Sequence, residues 1–257
     1  MLWTLQKLTV GLSKMRRRSR TAVTQRGGYE TLFDDDVMTV FYRPGRLDAC
    51  VVSFTGVGHG TGGIDVQNPE FARSGGEESS VFVIDKHRSW GNALDWEALK
   101  RVLAPVLKGA HVTTLGNSMG GFLAIYAARD LGATEAIAFA PQWSVDPKII
   151  PDENRWKKYR RTISEFRIPD LSDAFSSRTK YFVLFGNDVR DYKHVRLFAK
   201  RTDALELHVL DGCDHDVARF LKDKGQLYAA INACRAGGDV AGVFDLAAIR
   251  RIAADKL

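Results

Sequence analysis

Past residue 36 the chain alternates short apolar runs with segments whose apolar residues recur at helical spacing. The runs Val37–Tyr42, Ala49–Phe54, Ser80–Asp85, His111–Leu115, Glu135–Ala140, Tyr181–Phe185 and Leu205–Leu210 predict strands. Between them, Ala93–Leu107 (with Gly109 as its stop), Met119–Leu131 and Lys193–Arg201 predict helices, and Val217 onward reads as helical to the end. Strands that are apolar throughout and separated by helices predict an α/β fold with a mainly parallel sheet buried on both faces. Such sheets bind ligands at the carboxyl ends of their strands, so chemistry is expected in the segments directly after each strand.

One stretch breaks the rhythm. Residues 142–177 hold several prolines, Trp143, Trp156 and the basic run Arg155–Arg161, and they predict an insertion with one or two short helices. No internal repeat is visible.

Charge changes the picture at one end only. The formal net charge is +6, but residues 1–29 carry seven Lys and Arg and no acidic residue, so the other residues carry a net −1. The body is neutral, and a nucleic-acid partner is not expected. The tail (1–29) has Leu2, Leu5, Leu8 and Leu12 ahead of its arginines, which leaves three readings: a basic terminus, a weak membrane-surface helix attracted to anionic lipid, or an organelle transit peptide. No stretch approaches the ~20 apolar residues of a membrane span. Three scattered cysteines, Cys50, Cys213 and Cys234, fit reduced thiols and a cytoplasmic location.

The strongest chemical signal is Gly116-Asn117-Ser118-Met119-Gly120, set between a predicted strand and a predicted helix. A serine at such a turn is held in a strained conformation with its hydroxyl clear of the sheet, and the tightness of the turn explains a glycine two residues to either side. The other reading is a tight turn in which Ser118 only caps the helix. The N–H of Met119, at the helix start, can stabilise developing negative charge.

These residues resemble the α/β-hydrolase superfamily over about Val37 to Leu221. The resemblance implies an α/β-hydrolase sheet of about eight strands, mostly parallel, with a short cap at 142–177 of a single domain (30–257). It also implies a serine, an acid and a histidine in that chain order, each on a loop after a strand. His215, in Asp211-Gly212-Cys213-Asp214-His215-Asp216, stands at the family's histidine position as general base. The acid belongs in Gly186-Asn187-Asp188-Val189-Arg190-Asp191, with Asp188 the first choice and Asp191 the second because the loop is slightly short. By the same resemblance Val57, in the glycine-rich loop after Ala49–Phe54, joins Met119 as oxyanion donor.

Substrate contacts are expected from Trp143, which follows the strand ending at Pro141, and from His59, for which a solvated loop residue is the other reading. The basic run around Trp156 reads as a solvated helix face or as a recognition site for an acidic or sugar-bearing substrate; the sequence favours the former. The glycine loop lacks both the G-x-x-x-x-G-K-[ST] and G-x-G-x-x-G spacings, and no residue set has metal-ligand spacing. The expectation is a serine hydrolase acting without cofactor on a small-molecule, lipid or glycan ester or thioester. An amide or carbon–carbon bond hydrolase with the same residues, or a binding protein on the same scaffold, are the alternatives.

Overall fold

The computed structural model describes residues 28–58, 69–201, 205–238, 240–243 and 249–251. They form one nine-stranded sheet in the order β1-β2-β4-β3-β5-β6-β7-β8-β9. The central strands are β3 (Arg46–Phe54), β4 (Glu78–Asp85), β5 (His111–Asn117), β6 (Glu135–Phe139), β7 (Lys180–Gly186) and β8 (Leu205–Leu210). They pair in parallel throughout. Antiparallel strands β1 (Glu30–Asp34), β2 (Met38–Arg43) and β9 (Ile249–Arg251) complete the two edges.

Both faces of the centre are covered, which is why its strands are apolar without alternation: every residue of β6 is buried, and so is every residue of β7 after Lys180. Helix α1 (Trp96–Leu107) starts at Asp95, whose carboxylate accepts from the Ala98 N–H at 2.9 Å. Helix α2 (Met119–Asp130) is buried nearly all round, as expected of the helix that follows the central strand. Helices α3 (Lys157–Arg160), α4 (Tyr192–Phe198), α5 (Val217–Asp223) and α6 (Leu227–Arg235) are short.

Two expectations need correction. The carboxy-terminal region is not one helix: Gly225, with φ +71°, separates α5 from α6, and α6 ends before Gly237-Gly238. The sheet gains β1 and β9, short edge strands without a continuous apolar run. The tail residues 1–27 and the loop residues 59–68, including His59, lie outside the described residues. Among those described, no helix is long and apolar enough to cross a membrane.

Candidate active site

Ser118 sits where β5 turns into α2, with φ 54° and ψ −118°, a left-handed backbone that a non-glycine residue adopts only at a cost. The flanking glycines are required by contact. A Cβ on Gly116 would stand 2.1 Å from the Gly120 carbonyl, and one on Gly120 would stand 2.3 Å from the Phe54 carbonyl oxygen. The turn is therefore compressed against itself and against the end of β3, and the serine hydroxyl emerges at the carboxyl edge of the sheet.

Two neighbouring loops meet this hydroxyl. Gly186 ends β7 with no room for a side chain, since a Cβ there would lie 1.9 Å from the Asp214 carbonyl oxygen. That closeness lets the Asn187 N–H reach the carbonyls of Leu210 (3.0 Å) and Cys213 (2.8 Å), locking the loop after β7 to the loop after β8. The result brings together three side chains far apart in sequence. His215 Nε2 lies 3.1 Å from Ser118 Oγ, and His215 Nδ1 lies 2.8 Å from Asp191 Oδ2.

Asp191, not Asp188, is the carboxylate on the imidazole. Asp188 folds back onto Arg190, whose Nη2 is 2.6 Å away, and this partner, only partly opposed by burial, brings its carboxyl down to about 2. The loop makes a turn closed by Asp191 N–H to Asp188 O (2.9 Å), and only the later residue faces the histidine. Trp143 needs a second correction. It packs edge-on against Phe198 and stacked on Phe175, in the core beneath the insertion, and does not line the cavity at Ser118.

The residue that reaches Ser118 from that segment is its neighbour, Gln142. Its Nε2 donates to Ser118 Oγ at 3.1 Å, and its Oε1 accepts from Trp90 Nε1 at 2.8 Å. Because an indole nitrogen only donates, the amide orientation is fixed: oxygen toward Trp90, nitrogen toward the serine. Trp90 is held in turn by a tight loop in which Asp85 accepts from the N–H groups of His87, Ser89 and Gly91. All five non-glycine residues with positive φ among those described (Phe71, Arg88, Trp90, Ser118, Ala140) lie in loops that follow β3 to β6. Backbone strain is concentrated at the end of the sheet that carries the serine.

The insertion contributes more than a cover. Arg155 Nη1 donates to Asp191 Oδ1 at 2.8 Å, while its Nη2 meets Glu153 Oε2 at 2.6 Å; Glu153 in turn meets His194 Nε2 at 3.1 Å. Arg155 Nη1 also comes within 3.4 Å of His215 Nδ1, but the shorter carboxylate contact commands that nitrogen. Asp191 is fully buried. Burial alone would push its carboxyl up, but the bonds and charges of His215 and Arg155 outweigh that and hold it below the usual carboxylate range. Glu153 is lowered in the same way, its burial outweighed by His194 and Arg155. The tilted Trp156 ring lies 5.7 Å from the His215 ring.

A cavity of about 190 Å³ opens over Ser118, lined also by Gly56, Val57, Gly58, Glu70, Asn117, His215 and Asp216. Glu70 gave no sequence signal, being an isolated acid in a loop. Its Oε1 accepts from the Gly56 N–H at 3.0 Å, and burial, only partly opposed by that bond, pushes its carboxyl up to about 7. Met119 opens α2, so its N–H has no partner within the helix. Val57 lines the same cavity, and its carbonyl accepts from Arg88 Nε at 2.7 Å. Among the described residues no group of three or more His, Cys, Asp or Glu gathers in a way that could hold a metal ion.

Chemically, the arrangement fixes each proton. Asp191 on Nδ1 leaves Nε2 as the acceptor, and Gln142 donates to Oγ, so the serine proton is directed to the histidine.

The chain has the α/β-hydrolase fold. Its structure is similar to the capsule O-acetyltransferase of Neisseria meningitidis serogroup A (13% identity, 82% of this chain and 98% of that one, TM-score 0.55). An esterase-type protein of Staphylococcus aureus is similar at 15% identity, over 89% and 90% of the two chains, with a TM-score of 0.54. MenH of S. aureus is similar at 10% identity, over 79% and 99%, with a TM-score of 0.52. No protein-family model matches the sequence, and no curated protein does.

Proposed function

We propose that the protein cleaves a carboxylic ester or thioester through an acyl-serine intermediate. The observation that carries this reading is the unbroken hydrogen-bonded chain Ser118 Oγ–His215 Nε2, His215 Nδ1–Asp191 Oδ2. A serine hydroxyl is a poor nucleophile at neutral pH and needs such a base. Ser118 Oγ attacks the carbonyl carbon as His215 takes its proton, and the N–H groups of Met119 and Val57 face the oxyanion that forms. The intermediate collapses, His215 returns the proton to the leaving oxygen or sulfur, and water repeats the sequence to free the acid. Asp191 stabilises the imidazolium at both stages. The small and largely polar cavity favours a short acyl group over a fatty one.

A second reading is transfer of the acyl group to a hydroxyl rather than to water. Glu70, Asn117 and Asp216 line the cavity, which suits a polar acceptor, and the N. meningitidis capsule O-acetyltransferase has the same fold. A fluorophosphonate probe tests the common step: stoichiometric labelling at Ser118, abolished in Ser118→Ala, is expected, and an unlabelled wild-type protein would end both readings. Adding a polyol to a nitrophenyl acetate assay separates them, since transfer produces the acetylated polyol in place of acetate.

A further inference from the structure

Among the described residues Ser118 Oγ meets two side chains, and only one of them belongs to the proton relay. His215 Nε2 lies 3.1 Å away, and Gln142 Nε2 donates to the same oxygen, also at 3.1 Å. Gln142 is wholly buried and Ser118 is 4% exposed, so water screens this second bond little.

The amide is held from several directions. Its Oε1 accepts from the indole N–H of the fully buried Trp90, which leaves Nε2 for the serine. The backbone on either side is pinned as well: the Ala140 N–H donates to the Leu184 carbonyl at 2.7 Å, and the Trp143 N–H to His194 Nδ1 at 3.1 Å. Trp90 is set by Asp85, whose Oδ2 accepts from the N–H groups of Ser89 at 2.9 Å and Gly91 at 3.0 Å. Trp90 and Ala140 both adopt a left-handed backbone, with φ 51° and 43°. Two strained residues that serve one amide mark a group whose direction matters.

A donor aimed at Oγ has unequal effects on the two halves of the reaction. In the free enzyme Oγ is a hydroxyl oxygen that already accepts from Gln142. On attack its electron pair forms the bond to the acyl carbon and its proton passes to His215, while charge develops on the carbonyl oxygen. Oγ becomes an ester oxygen, a poorer acceptor, and the bond to Gln142 weakens. In the second half, water attacks the acyl carbon and gives its proton to His215. The C–Oγ bond then breaks, its electron pair goes to Oγ, and His215 passes the proton to that oxygen. The Gln142 N–H faces Oγ as this charge grows, so its bond strengthens from acyl-enzyme to transition state.

We infer that Gln142 is a catalytic residue of the second half-reaction: its amide N–H assists the departure of Ser118 Oγ from the acyl-enzyme. The same bond breaks whether water or a hydroxyl acceptor attacks. This role is additional to the relay of Ser118, His215 and Asp191, and it rests on Ser118 being the acylated nucleophile.

The test times the two halves separately with 4-nitrophenyl acetate. The burst of nitrophenol reports acetylation, and the disappearance of the acetyl adduct from the intact protein, followed by mass spectrometry, reports its decay. Gln142→Met fills similar space without an N–H. It should slow decay by about tenfold more than it slows acetylation, the scale of one hydrogen bond to a developing charge. That substitution also orphans the buried Trp90 N–H. The double variant Trp90→Phe/Gln142→Met removes both partners and should show the same split. Equal slowing of the two halves, slowing confined to acetylation, or loss of fluorophosphonate labelling in both variants overturns the inference, as does wild-type decay in both. Each of those results leaves the hydrolase reading standing if the wild-type protein is labelled at Ser118. An unlabelled wild-type protein with no burst sinks both.

Discussion

Arg155 and the buried Asp191 form an ion pair that joins the insertion to the candidate active site: Nη1 lies 2.8 Å from Oδ1, while the other carboxylate oxygen holds His215. A carboxylate so placed is held from two sides, and its orientation toward the imidazole does not depend on the loop alone. Removing Arg155 leaves Asp191 buried without its cation and Glu153 with only the longer cationic contact of Lys193 at 3.7 Å. Arg155→Met should therefore lower stability by about 3–5 kcal/mol, measured by urea unfolding at pH 7. Arg155→Lys should recover only part, because an ammonium lacks the planar fork that reaches both carboxylates. Full recovery by lysine would show that charge alone suffices.

The two aspartates of the loop after β7 separate cleanly in a turnover assay. Asp191→Asn should lower kcat by about 10²–10⁴, since the amide both loses the charge that stabilises the imidazolium and scrambles the tautomer. Asp188→Asn, which disturbs only the contact with Arg190, should stay within about threefold of wild type. Equal losses from the two would remove Asp191 from its proposed role.

Strain at the serine can be weighed directly. Ser118→Ala and Ser118→Gly remove the same hydroxyl, but only glycine is at ease at φ 54°. The glycine variant should be the more stable of the two by about 1–2 kcal/mol, with both inactive. Equal midpoints on denaturation would mean that the elbow stores nothing.

Two acids, the buried Glu153 and the half-buried Glu70, should give stability–pH profiles of opposite sign. For Glu153 the folded value is depressed. Its contribution is complete above the unfolded value of about 4.3 and is lost as pH falls through the folded one. Glu153→Gln should therefore cost most at pH 7 and progressively less toward pH 3. For Glu70 the folded value is raised to about 7. The native state then holds the extra proton between the unfolded value and 7, and stability falls as pH climbs through that window. Glu70→Gln, whose amide oxygen can still accept from Gly56, should gain stability relative to wild type at pH 8 and not at pH 4. Unfolding midpoints across this range check both.

Much of this architecture is legible in the residues. The apolar runs mark the central strands to within about three residues at their ends, because a sheet covered on both faces leaves no alternation to confuse the pattern. The elbow is legible because its glycines are dictated by backbone contact. What escapes is set by tertiary placement. Asp188 and Asp191 are both plausible in a short loop, and only the turn between them decides which one faces His215. Gln142 and Trp143 are adjacent, and the left-handed Ala140 (φ 43°) just before them is invisible in sequence. Glu70 and Arg155 become noteworthy only once folding brings distant charges together. The edge strand Glu30–Asp34 has mixed polarity, as an edge should, and reads as loop.

Because the guanidinium that steadies Asp191 and the indole that packs on His215 both come from the segment 142–177, that segment is not an interchangeable cassette. A chimera carrying a relative's lid would inherit its specificity yet arrive without the brace, and a deletion meant to open the pocket would slacken the machinery underneath. Engineering here has to move the lid and the loop after β7 as one inherited unit.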